Sequence, residues 1–145
     1  MNIKTLTAIM IIAFAFFFGG CKQNPYDEAV EYIDQLSEEV MSATNETEYD
    51  AAYNKIICLN ASEKMTNLKN LSSEQKKTIL TKATDLTVKS LAVKAILYVM
   101  PKDITPTSED MKKLADECIQ NKLNVLVAPY GEVRALVHEY YHLAN

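Results

Sequence analysis

The chain has 145 residues and a formal charge of −4, with two histidines, three glycines, four prolines and no tryptophan. An acidic balance supplies no basic footprint for nucleic acid, and so few turn formers exclude a many-stranded β fold. The size prior and the segments below predict an all-α chain, a small bundle of four or five helices after a cleaved signal peptide.

The first element is a leader. Lys4 supplies a positive n-region, Leu6 to Phe18 an apolar run, and Gly19-Gly20 two small residues ahead of Cys21. That order marks residues 1–20 as a secretory signal peptide. At about 1.5 Å per residue the apolar run rises only about 20 Å, short of the roughly 30 Å hydrocarbon core. Phe18-Gly19-Gly20-Cys21 resembles the lipobox of bacterial lipoproteins, with Phe18 where that family usually carries leucine. The resemblance implies diacylglyceryl transfer to the Cys21 thiol, cleavage before Cys21 and acylation of the new amino terminus. Several acyl chains would hold the protein stably on a membrane, where a single chain holds it marginally. It places the protein in a bacterial cell envelope and leaves open whether it faces the periplasm or the exterior. All 19 acidic residues follow Gly20, so electrostatic adhesion to anionic lipid is not expected.

Residues 21–24 read as a tether and residues 25–145 as one helical domain. Asn24-Pro25 is a helix start, with Pro25 at the first helical position and Asp27 and Glu28 in the first turn. Tyr26, Val30, Ile33, Leu36 and Val40 recur at three and four, and the helix is expected to end near Thr44-Asn45. A second helix begins near Glu46 with Tyr49, Ala52, Tyr53, Ile56 and Ile57, its continuation through Met65 to Leu68 left open. Ser72 and Gln75 match a capping box. From there Ile79, Ala83, Leu86, Val93 and Leu97 mark one face of a long helix, and Leu80, Leu91, Ile96 and Tyr98 widen it. A stripe that broad predicts a central helix covered on more than one side. Pro101 stops it at Met100.

A loop from Thr105 to Asp110 contains the next N-cap. Met111, Leu114, Ala115, Cys118 and Ile119 then share a face, and Asn124 to Ala128 is read as that helix's end, broken at Pro129-Tyr130-Gly131. The last helix is predicted over about 132–143, with Val133, Leu136, Val137 and Tyr140 inward. Cys58 and Cys118 sit in apolar surroundings and read as small buried hydrophobes, although export would permit a disulfide. Nine acids and no Lys or Arg lie between Gln23 and Asn54, whereas seven lysines lie between Lys64 and Lys94. The acidic helices are expected to lie beside the lysine-rich one. The tyrosines, Tyr49/Tyr53 and Tyr140-Tyr141 among them, read as core packing.

One motif suggests chemistry. His138-Glu139-Tyr140-Tyr141-His142 matches H-E-x-x-H, and on a helix residues i and i+4 share a face. The pentapeptide resembles the zincin metallopeptidase motif, which implies His138 and His142 as zinc ligands and Glu139 as general base. Only Leu143, Ala144 and Asn145 follow, and none is a usual third ligand. The reading is therefore two surface histidines, with no metal and no cofactor called for. The function expected is a lipid-anchored helical envelope protein that binds or scaffolds, with a protein partner and no nucleic acid. The alternatives are a zinc-dependent hydrolase and a periplasmic inhibitor or immunity protein.

Overall fold

The computed structural model describes residues 24–144. Residues 1–20, expected to be a signal peptide, together with Cys21 and most of the expected tether, lie outside the described residues. Five α-helices make up the fold, and no strand occurs among the described residues: α1 (Pro25–Met41), α2 (Glu46–Ile57), α3 (Ser73–Val99), α4 (Ser108–Gln120) and α5 (Gly131–Tyr140). The all-α bundle expected from periodicity is what forms.

Each helix start has a local cause. The Asn24 side chain accepts from Tyr26 N ahead of Pro25, and Asn45 accepts from Glu48 N. Ser72 and Gln75 form the reciprocal capping box of α3, and Thr107 and Asp110 form that of α4. α3 packs against every other α-helix. It buries Ile79 and Leu86 in its first half, then Ala92, Val93, Ala95, Ile96 and Val99 around more of its circumference. Against it lie Ile33, Leu36 and Val40 of α1, Met111 and Leu114 of α4, and Val133 and Val137 of α5, all essentially inaccessible to water. Each such side chain contributes about 1.5–3 kcal/mol through burial. Leu80 and Tyr98 are corrections to the expected stripe: they are 68% and 61% exposed. Near Leu80 the helix surface is exposed, and Thr84 and Thr87 donate their hydroxyls to the carbonyls of Leu80 and Ala83.

Helix ends depart further from expectation. α1 stops at Met41 rather than Thr44-Asn45: Ser42 N and the Ser42 hydroxyl both donate to the Glu38 carbonyl, at 3.1 and 2.6 Å, Ala43 N turns back to the Val40 carbonyl at 3.3 Å, and the chain leaves the helix. α2 stops at Ile57; Leu59–Ala61 and Glu63–Met65 are separate 3-10 turns, the second started by the Ser62 side chain. α4 stops at Gln120, so Asn124 to Ala128 is loop. There Leu123 N bonds the Cys118 carbonyl at 2.9 Å and Lys122 N bonds the Ile119 carbonyl at 3.1 Å, with Lys122 at φ 53°. This is a Schellman closure with lysine at the left-handed position where glycine is usual.

α5 ends the same way, and this overturns the geometry assumed for the H-E-x-x-H pentapeptide. Leu143 N bonds the His138 carbonyl at 2.8 Å and His142 N bonds the Glu139 carbonyl at 3.1 Å, with His142 at φ 54°. His138 is on the last helical turn and His142 is beyond it, so the two imidazoles do not share a helix face.

Cys58 is exposed and Cys118 buried, both as free thiols. The apolar neighbours of Cys58 misled, since it lies just past the end of α2. Lysines do meet the acidic first helix: Lys82 pairs with Asp34 at 2.8 Å, Lys55 with Glu39 at 2.7 Å, and Lys112 with Glu38 at 2.7 Å. Lys89 donates to Ser37 at 2.9 Å. All these groups are partly exposed, and each pair is worth about 0–1 kcal/mol.

Candidate functional site

The acids of α1 are thus largely matched by lysines from neighbouring elements. Those at the start of α2 are not. Glu46 and Asp50 stand one turn apart on α2 and, like Lys94 of α3, enter no ion pair among the described residues. These three charged side chains line one cavity of about 160 Å³ with Tyr49, Leu97 and Tyr98. The spacing of three and four along each helix puts Glu46, Tyr49 and Asp50 on one wall and Lys94, Leu97 and Tyr98 on the other.

Tyrosines frame this cavity. Tyr49 stacks on Tyr53, one turn further along α2, with ring centroids 5.6 Å apart and planes 13° apart. Tyr98 meets Tyr130 edge-on at 5.3 Å and 79°. Tyr49 is 5% exposed, and its hydroxyl is buried with no hydrogen-bond partner. Burial, and then the neighbouring Tyr53, push its pKa up to about 12. Tyr98 by contrast stands mostly in solvent. Tyr130 closes a turn onto the Val127 carbonyl at 3.2 Å, and Val127 and Leu126 in that loop are 64% and 72% exposed. Glu132 of α5 reaches back to Asn124 N at 2.8 Å, and the Asn124 side chain accepts from Leu126 N at 3.1 Å. A braced loop therefore leads through Tyr130 to a cleft lined by tyrosines, a residue type enriched at interface hot spots.

The residues singled out from sequence lie elsewhere. Cys21 is outside the described residues. Glu139 and His142 are exposed and His138 is half-buried. Among the described residues, no three His, Cys, Asp or Glu side chains are grouped to hold a metal ion. Within the pentapeptide the two tyrosines have structural work. Tyr140 donates to Asp110 Oδ1 at 2.7 Å and meets Tyr141 edge-on at 5.0 Å. The cleft itself was passed over in the sequence: Tyr49 and Tyr53 read there as core, which holds for Tyr49 at 5% exposed and not for Tyr53 at 38%. One signal was available: two tyrosines spaced by four residues among unpaired acids on a helix with a single lysine.

No family model, curated protein sequence or solved structure matches the chain. No described helix is long and apolar enough to cross a membrane.

Proposed function

We propose that this is a lipid-anchored binding protein of a bacterial cell envelope, tethered through acylated Cys21 and engaging a protein partner at the tyrosine cleft between α2 and α3. The anchor rests on the resemblance of Phe18-Gly19-Gly20-Cys21 to a lipobox. Pro25 opens α1 four residues after Cys21, so the tether spans about 10–14 Å at full extension, and the domain stays close to the bilayer. The observation that carries the binding role is the cleft itself, where exposed Tyr98 meets Tyr130 edge-on at 5.3 Å, and Tyr130 ends the loop in which Leu126 and Val127 stand exposed. Large rigid side chains of this kind supply contact area at low entropic cost and dominate interface energetics.

Two experiments test this reading. Growth with a labelled fatty acid should label the wild-type protein and leave Cys21→Ala unlabelled; an unlabelled wild-type band would remove the anchor. A photoreactive residue placed at position 98 or 126 in cells should give a discrete cross-linked species. One at position 31 or 116, on other faces, should give none. Equal cross-linking from all four positions would refute a partner face at the cleft.

A further inference from the structure

We infer that the cavity between α2 and α3 receives a cationic side chain, arginine above all, from the partner protein. This rests on the binding role proposed above and names the chemistry that the site would recognise. Three observations support it. Tyr49 and Tyr98 line the cavity, and Tyr98, at 61% exposed, is the ring open to an occupant; a tyrosine face attracts a guanidinium or ammonium within about 6 Å. Glu46 and Asp50 line the same cavity with no cation paired to either, although the acids of α1 have found lysines. The chain as a whole is acidic, with 19 acids against 15 basic residues, so a basic partner is favoured on approach.

Arginine suits the site better than lysine. Its planar guanidinium stacks on a ring while keeping its donors at the edge for carboxylates, and it gives up hydration more readily than an ammonium. Two carboxylates one helical turn apart offer that edge two acceptors.

Lys94 makes the inference decisive, because it lines the cavity with the opposite sign. Against a cationic occupant it is repulsive and restrains affinity. Against an anionic or zwitterionic occupant it would be the anchor. The two cases predict opposite effects of Lys94→Met.

The test titrates the full protein, purified in detergent micelles, with N-acetyl-arginine amide, and follows backbone amide resonances. N-acetyl-norleucine amide and N-acetyl-glutamate amide serve as controls. The arginine probe should shift resonances around Glu46, Asp50 and Tyr98, and the controls should not. Binding should weaken about threefold or more in Glu46→Gln, Asp50→Asn and Tyr98→Ala, the scale of a partly exposed cation–π or charge contact. Lys94→Met should tighten it. Weaker binding in Lys94→Met, preference for the glutamate probe, or shifts that ignore these variants would overturn the inference. Cross-links that still concentrate at position 98 without arginine binding would sink the arginine assignment and leave the partner face standing.

Discussion

The Tyr140 hydroxyl donates a 2.7 Å hydrogen bond to Asp110 Oδ1, while Oδ2 of the same carboxylate accepts from Thr107 N at 2.9 Å. One side chain therefore closes the capping box at the start of α4 and fastens the end of α5 to it. The Thr107 amide first and the Tyr140 hydroxyl second hold the Asp110 carboxyl below the usual range. A depressed pKa contributes stability above the unfolded value, near about 3.9, which is lost as pH falls through the folded value. Asp110→Asn should cost about 1–2 kcal/mol at neutral pH and flatten the loss of stability below about pH 4. Denaturant unfolding across pH checks both, and an unchanged acid limb would show that Asp110 contributes little.

The alkaline limb has the opposite sign. Tyr140 is raised to about 12, first by its bond to Asp110, and Tyr49 to about 12, first by burial. Groups raised in the folded state contribute stability below their unfolded pKa, near about 10, and lose it as pH climbs through the folded value. Stability should therefore fall between about pH 10 and 12. Tyrosinate absorbance should show Tyr49 and Tyr140 ionising together with unfolding rather than before it. The buried Tyr49 hydroxyl has only the Ser90 hydroxyl as a weak neighbour, so its removal in Tyr49→Phe should change the stability of the fold by less than about 1 kcal/mol.

Helix beginnings were far more legible in the sequence than helix ends. Asn24-Pro25, Asn45 and Ser72 with Gln75 announce their helices through side chains that capture the first free N–H groups, and those contacts are local in sequence. The ends of α4 and α5 are closed by Lys122 and His142 in the left-handed conformation, a role sequence patterns assign to glycine. A helix was consequently carried past Leu123 to Ala128 and past Tyr140 to Leu143. The cleft was illegible for a different reason. Tyr49 and Lys94 lie 45 positions apart, and only tertiary packing brings the unpaired acids of α2 against the Lys94–Tyr98 edge of α3. The α3 stripe was read too wide because Leu80 and Tyr98 are as apolar as their buried neighbours, and nothing local tells the covered side from the open one.

Those two helix ends give a direct prediction. A non-glycine residue in the left-handed region costs about 1–2 kcal/mol, partly offset by the greater chain entropy of glycine. Lys122→Gly and His142→Gly should each stabilise the fold by about 0.5–1 kcal/mol, read as a rise in thermal midpoint. A loss of stability in His142→Gly would mean that the imidazole itself holds a contact that matters.

The two thiols should separate cleanly. Cys58 is exposed, whereas burial pushes the Cys118 thiol up to about 11. An alkylating reagent near neutral pH should modify Cys58 quickly and Cys118 only on unfolding. Mass spectrometry of the folded protein locates the label, and rapid modification of Cys118 would contradict the packing of α4 against α3.

Docking at the tyrosine cleft is tested most directly by cross-linking from position 126 in a Tyr98→Ala background. Tyr98 is 61% exposed and touches Tyr130 only edge-on, so its loss should cost the fold about 0.5–1.5 kcal/mol at most. If the tyrosine cleft is where a partner docks, the cross-linked species should disappear while the thermal midpoint stays within a few degrees of wild type. A cross-link of undiminished yield from a stably folded Tyr98→Ala protein would contradict that claim.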